Sequence, residues 1–277
     1  MEFQISHYAT KALIYHTAET IYKEKTMFDT LKTRIFQGNQ FIKDVTKAQI
    51  NENFRGLPIL QEANCKNCKK CVDVCPTNAL SLSPFQIDLG KCTLCGECKN
   101  ICEHNAINFS NFHKLATTKK EHLIIKSKTT KEEYEKLAIE TKKEITSIFS
   151  RSLKLRQVCA GGCNSCEMEL NACSNVNFDM GRFGIDFVAS PRHADGIVIT
   201  GPITQNMAYA LEDCYKSTPD PKIVILCGTC AISGGVFQDS KTLNREFLEK
   251  YSIDLYIPGC PVHPLTFING VLGLIRK

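Results

Sequence analysis

Cysteine carries the chemistry in this sequence. Sixteen occur in 277 residues, and eight of them fall between Cys65 and Cys102, as CKNCKKCVDVC, sixteen residues, then CTLCGECKNIC. Both runs read C-x2-C-x2-C-x3-C. A shift of 27 maps Cys65, Cys68, Cys71 and Cys75 onto Cys92, Cys95, Cys98 and Cys102, and carries Asn78-Ala79-Leu80 onto Asn105-Ala106-Ile107. The stretch is therefore an internal duplication. Thiolates are soft ligands suited to zinc or to iron–sulfur clusters. C-x2-C brings two sulfurs together over one tight turn, and a third cysteine three residues on completes a tripod whose fourth ligand must come from elsewhere. A zinc site takes four ligands from C-x2-C pairs and gives the regular third cysteine no task, so the spacing favours iron–sulfur.

This spacing is the bacterial-ferredoxin run that holds two [4Fe–4S] clusters, in which the fourth cysteine of each run ligates the other cluster. On that pattern Cys65, Cys68, Cys71 and Cys102 form one set, and Cys92, Cys95, Cys98 and Cys75 its twin. One departure is that Pro76 follows the first run while Glu103 follows the second. That difference affects a turn and a potential, not the number of ligands.

A length of 277 residues suggests about two domains. An apolar fraction of 43 % with 23 % charge is ordinary for a globular protein. No apolar run reaches the length of a transmembrane helix, and MEFQISHYATKALIYHTAET lacks the basic and apolar regions of a signal peptide. Cysteines in cluster spacing without a signal point to a reducing cytoplasm. The formal net charge of +5 counts cysteine as neutral, whereas each oxidised cluster with its thiolates carries roughly −2. Two or three clusters cancel most of the positive charge, which argues against nucleic acid as a partner.

The elements that must hold these cysteines follow in order. Residues 1–56 form an N-terminal helical docking segment. Within it, MFDTLKTRIFQGNQFI places Phe28, Leu31, Ile35 and Phe36 at helical spacing, broken near Gly38. The plain expectation is a helix packed on the core, and the sharper one a helix that docks on a partner or membrane face. Residues 57–112 form an α+β ferredoxin-like two-cluster module, each half a short strand, a cysteine loop and a helical turn, too small to stand without its clusters. Residues 113–155 form a helical linker. There Thr130 and Glu133 make a capping box, and Tyr134, Leu137, Ala138, Ile145, Ile148 and Phe149 one apolar stripe. Residues 156–277 read as an α/β flavodoxin-like parallel-sheet domain. Its strands fall at 185–189, 196–200, 222–227 and 255–258, with helices between them at 205–216 and 264–276.

The other eight cysteines, Cys159, Cys163, Cys166, Cys173, Cys214, Cys227, Cys230 and Cys260, are scattered, and their places relative to the strands say more than their spacing. Cys163 and Cys166 sit in CAGGCNSC after a first short strand, Cys230 follows KIVILCG, and Cys260 follows LYIPG. Loops at the carboxyl ends of parallel strands converge on one crevice, so Cys163, Cys166, Cys230 and Cys260 make a third [4Fe–4S] site. Glycines flank all four and let main-chain N–H groups approach cluster sulfurs. Cys227 and Cys230 also read as a thioredoxin-like dithiol, although nothing else resembles a thioredoxin domain. Cys159, Cys173 and Cys214 read as small apolar fillers, or at most as groups that touch a cluster ligand. His193 and His263 read as structural histidines, or as hydrogen-bonding groups that tune a potential. Glu167 and Glu169 suit proton handling or a partner-facing role, and Arg192 a contact with a partner or the cluster.

Four stretches in order, GGCNSCEMEL, SPRHADGIVITGPITQNM, PDPKIVILCGTCAISGGVF and YIPGCPVHP, resemble the small subunit of membrane-bound [NiFe] hydrogenases of the formate-hydrogenlyase or hydrogenase-4 type. That architecture is shared with the 20-kDa-type subunit of complex I. The resemblance spans roughly 155–277. Complex I subunits usually show adjacent cysteines at the first position, so Cys163-Asn-Ser-Cys166 looks like the hydrogenase branch. Asn53-Phe54-Arg55-Gly56 through the double cysteine motif is similar to the separate two-cluster ferredoxin subunit, and the chain reads as a fusion of the two. The resemblance implies that Cys230 is a ligand and Cys227 a small buried strand residue.

It further implies an electron-transfer subunit of an oxidoreductase complex with three [4Fe–4S] clusters and no substrate site of its own. Its partners would be a large subunit with the nickel–iron centre, an upstream donor subunit or ferredoxin, and membrane-arm subunits. Its place would be the inner face of the cytoplasmic membrane, held by those partners without a span of its own. The nearest alternative keeps the relay and changes the end reaction to that of a complex I-like ferredoxin or quinone oxidoreductase. No second pair of C-x2-C motifs remains for a nickel–iron centre, and there is neither a G-x-G-x-x-G after a strand nor a Walker loop.

Overall fold

The duplication in the sequence is also a duplication in space. A computed structural model describes residues 27–38, 40–139 and 143–276, in two units, 1–41 and 42–277. In the larger unit, strands β1 (Pro58–Leu60) and β3 (Phe85–Asp88) begin the two halves, and β2 (Leu80–Leu82) and β4 (Ile107–Phe109) end them, each pair offset by the 27-residue repeat. β1 pairs antiparallel with β4, and β2 with β3. The first strand of each half therefore pairs with the last strand of the other, and the fourth cysteine of each run is carried across to its twin's half. The turns repeat as well. Left-handed residues recur at Asn67 and Leu94, at Lys69 and Gly96, and at Asn78 and Asn105. An asparagine or glycine tolerates that conformation, whereas Leu94 is held there while its carbonyl accepts from Arg55 Nε at 2.6 Å.

A further strand, β5 (Ile124–Lys126), adds to β3 from inside the 113–155 stretch, so the expected linker is not helical throughout. Helix α1 (Lys131–Ala138) starts with the expected capping box, Thr130 and Glu133 each accepting from the other's main-chain N–H. The expected stripe divides. Tyr134, Ala138, Ile145 and Phe149 are buried, but Leu137 and Ile148 are exposed. Helix α1 ends at Ala138 with Ile139 extended, and a second helix, α2, runs Lys143–Phe149. In each helix the buried pair is four residues apart and the exposed residue lies on its flank.

His113, at the start of the linker, is buried with its Nε2 unpartnered. Burial, with the charges of His263, Lys114 and Lys131, pushes its pKa down to about 4. Below pH 6.5 the unfolded chain binds a proton that the folded chain refuses, so this stability is present above that pH and is lost as pH falls towards 4. The loss is on the order of 3 kcal/mol. Denaturant titrations between pH 7 and pH 4.5 should therefore show the wild type losing stability relative to His113→Phe as pH falls, and parallel curves would refute the assignment.

The carboxyl-terminal half builds one five-stranded parallel sheet from β6 (Leu153–Cys159), β7 (Ile185–Phe187), β8 (Gly196–Thr200), β9 (Ile223–Cys227) and β10 (Leu255–Ile257). Their order is β10-β9-β8-β6-β7. This is the doubly wound order in which the second strand lies outside the first, and the switch point falls between β6 and β8. The central strands β8 and β9 are buried at every position, as both faces of a parallel sheet require. The expected helices are present as α3 (Gln205–Ser217) and α4 (Pro264–Ile275). Helix α4 is almost wholly buried and packs on β10 and α2, with the segment around Val45 strapped over it through Asn269 Nδ2 to Val45 O at 3.0 Å. One hydrophobic core joins Leu57, Ile87 and Ile107 of the cysteine-rich module to Ile197, Ile199 and Val224 of the sheet.

In the smaller unit, residues Met27–Gln37 form the expected helix, ending at a left-handed Gly38. Phe28, Leu31, Ile35 and Phe36 are exposed on it.

Candidate metal centres

The cysteine loops gather into three groups. In the first, Cys65, Cys68, Cys71 and Cys102 line one tight pocket with Leu82, Phe85 and Ile107 beside them. The Cys71 thiol is pushed up by burial first, then by Cys102, Cys65 and Cys68 facing it. In the second, burial pushes Cys98 up to about 12, with Cys92, Cys95 and Cys75 adding to the effect, and Cys92 likewise up to about 12, with Cys75 and Cys95 beside it. Each fourth cysteine thus faces the other run's tripod. The repeat also supplies matched donors. Ala79 N–H points at Cys75 Sγ at 3.3 Å, and Ala106 N–H at Cys102 Sγ at 3.4 Å. Pro76 and Glu103 do differ in role, since Glu103 reaches back to Lys70 Nζ at 2.5 Å and ties the second turn to the first.

The third group forms at the carboxyl ends of the parallel strands. The loop after β6 carries Cys163 and Cys166 into helix α5 (Ser165–Ala172), the loop after β9 carries Cys230 in the short helix α6 (Thr229–Ser233), and the loop after β10 carries Cys260. Burial pushes Cys166 up to about 12 and Cys230 up to about 11. Cys260 and Cys230 face the first, and Cys260 and Cys163 the second. Cys163 runs the other way, held low by hydrogen bonds from Ser165. Cys163 and Cys260 are exposed while Cys166 and Cys230 are half-buried, so this group opens to the surface.

The donor set fits iron–sulfur clusters. A thiol kept neutral by burial ionises only when a cation replaces the water it has lost, and each group of four sulfurs holds at least one such thiol: Cys71 in the first, Cys92 and Cys98 in the second, and Cys166, Cys230 and Cys260 in the third. Among the described residues no set of three or more His, Cys, Asp or Glu side chains stands close enough to hold a single metal ion.

The second and third groups adjoin. Thr229 Oγ1 donates to Cys92 O at 3.0 Å, and Cys260 feels Cys95 across the seam. Phe54 packs edge-on to His263 at 5.4 Å, next to Arg55 with its grip on Leu94. The Asn53–Gly56 stretch thereby joins both loops.

The remaining candidates separate cleanly. Cys227 is fully buried on β9 among core side chains, a poor place for a reversible dithiol. Cys173 is a buried filler that donates to Glu169 O at 3.3 Å. Cys159 is exposed at the end of β6 beside Glu167 and the Gly161 and Gly162 N–H groups, so the filler reading fails there: the strand has already left the core. Cys214 is half-buried near Arg156. His263 is structural, its Nδ1 accepting from Leu265 N–H at 3.1 Å to cap α4. His193 and Arg192 are exposed in a turn before β8. Glu169 is half-buried and raised by burial, and Glu167 is buried with a hydrogen bond from Thr200 Oγ1. Two residues escaped the sequence reading. Thr229 and Arg245 sit in unremarkable local contexts and acquire their contacts only through the fold.

The model of the NADH ubiquinone oxidoreductase 20-kDa subunit matches residues 163–274, and that of the 4Fe-4S dicluster domain residues 64–106. A Pyrococcus furiosus protein described as probable membrane-bound hydrogenase subunit mbhJ is 37 % identical over 134 residues, 48 % of this chain and 80 % of its own length. Formate hydrogenlyase subunit 7 of Escherichia coli is 41 % identical over 132 residues, 47 % of this chain and 52 % of that one. An NADH-quinone oxidoreductase subunit of Citrifermentans bemidjiense is 42 % identical over 116 residues, 42 % of this chain and 68 % of that one.

Proposed function

We propose, since the chain belongs to the family of the NADH ubiquinone oxidoreductase 20-kDa subunit and carries a 4Fe-4S dicluster domain ahead of it, that it is an electron-transfer subunit of a membrane-associated hydrogenase complex. The clusters, when bound, accept and release single electrons. The chain holds them in order: Cys65, Cys68, Cys71 and Cys102 first, Cys92, Cys95, Cys98 and Cys75 next, and Cys163, Cys166, Cys230 and Cys260 last. The observation that carries the reading is the seam at Thr229 and Cys92, which sets the second group beside the third.

On this reading residues 1–56 dock, 57–112 receive electrons from a donor subunit or ferredoxin, 113–155 connect, and 156–277 deliver. The open side of the third group, at Cys163 and Cys260, faces a large subunit with a nickel–iron centre, and catalysis rests there. No helix among the described residues is long and apolar enough to cross a membrane, so attachment to the inner face of the membrane falls to membrane-arm partners. Cys163-Asn-Ser-Cys166 and the membrane-bound hydrogenase and formate hydrogenlyase relatives favour hydrogen as the end reaction. The NADH-quinone oxidoreductase relative keeps a complex I-like end reaction as the second reading, which a co-purified large subunit lacking nickel would establish.

Anaerobic iron and sulfide analysis with EPR tests the core of the reading. About 12 iron per chain are expected, falling to about 8 in Cys230→Ala or Cys260→Ala. About 8 iron in the wild type, unchanged by either substitution, would remove the third cluster.

A further inference from the structure

Arg245 lies in the stretch TLNREFLEK, between Asn244 and Glu246. The fold turns its side chain inward. Asn244 N–H bonds to Ile203 O at 2.9 Å and pins the segment beside the loop after β8. From there the guanidinium reaches Pro202 O at 2.8 Å and Cys230 O at 3.2 Å through Nη1, and Ala231 O at 2.8 Å and Ile232 O at 2.9 Å through Nη2. It therefore ties the loop after β8 to the short helix that carries Cys230. All four acceptors are neutral carbonyls. The half-buried guanidinium gains from negative charge nearby, and the Cys230 sulfur is close enough to interact with it electrostatically.

We propose that Arg245 is the positioning residue of the third cluster, holding the Cys230 loop in place and supplying the positive charge that favours the cluster's reduced form. This rests on the third-cluster assignment. Reduction adds one electron to a group that is already anionic, so a fixed cation nearby raises the potential. The three carbonyls of α6 keep that cation at a constant distance from Cys230. A lysine at this position keeps the charge and can reach some of these carbonyls, whereas glutamine keeps one donor group of two N–H and drops the charge.

The test is an EPR-monitored redox titration of the iron-loaded chain, wild type against Arg245→Gln and Arg245→Lys, with iron counted in each. Arg245→Gln should retain about 12 iron while the third-cluster signal titrates lower, by about tenfold in the reduced-to-oxidised ratio at fixed ambient potential, or about 59 mV for one electron. The two ferredoxin-type signals should not move, and Arg245→Lys should titrate with the wild type. Equal midpoints in all three proteins, or equal shifts in both variants, would overturn the proposal. If Arg245→Gln loses four iron, Arg245→Lys decides. Twelve iron at the wild-type midpoint supports the proposal, and anything else overturns it. A wild type with about 8 iron is a different failure, that of the third site itself.

Discussion

Removing the iron with a chelator under anaerobic conditions is expected to unfold residues 57–112 while the parallel sheet survives. The strands of this module are three or four residues long and its two helices, Lys70–Asp73 and Glu97–Asn100, four residues each. Such pieces lie far below the length at which a helix or hairpin stands alone. What fixes their turns is ligation of the cysteines on either side, and structural metals in small domains contribute on the order of 10 kcal/mol or more to folding. The sheet does not depend on ligation in this way, because α4 and the buried strands β8 and β9 close its other face with a core of their own. Hydrogen exchange should show protection vanishing from 57–112 and persisting in β6, β8 and β9. Full protection of 57–112 after quantitative loss of iron would contradict this account.

The second large effect belongs to Gly228. It stands between β9 and Cys230 with φ +98° and ψ 152°, a conformation open essentially to glycine alone and costing another residue about 1–3 kcal/mol. A Cβ there would lie 2.7 Å from Cys166 Sγ. Gly228→Ala should consequently fold but push a ligand sulfur out of place. The expected result is a fall from about 12 to about 8 iron, loss of the third-cluster EPR signal alone, and no electron delivery to the partner. Gly181→Ala is the control, since nothing lies within 4 Å of its added Cβ, and it should keep every cluster. A Gly228→Ala protein with a wild-type third signal would show that Cys166 does not need its present place.

The stripe at 134–149 shows why some expectations for this chain carried over to the structure and others did not. Its residues are correctly spaced for one helix, but periodicity sees neither the break after Ala138 nor how narrow the covered face is, and Leu137 and Ile148 on its flank are in solvent. The capping box at Thr130 was legible because all of its atoms lie within four residues. Cys159 illustrates the same limit at a strand end, where one residue separates the core from the surface. Arg245 shows the limit most plainly, because a single arginine between polar neighbours has no local signature of burial.

Ligand type, tripod spacing, the 27-residue repeat and the alternation of strand and helix are short-range properties. The identity of neighbours along the chain determines them, and the cysteine runs could be read without coordinates. The meeting of Cys163, Cys166, Cys230 and Cys260, the seam between Thr229 and Cys92, and the inward turn of Arg245 span tens to more than a hundred residues. They exist because β6, β9 and β10 lie parallel and end at the same edge of the sheet, and because one hydrophobic core joins the cysteine-rich module to that sheet. Loop closure over such distances is set by packing and not by spacing, so only the tertiary structure could bring these groups together.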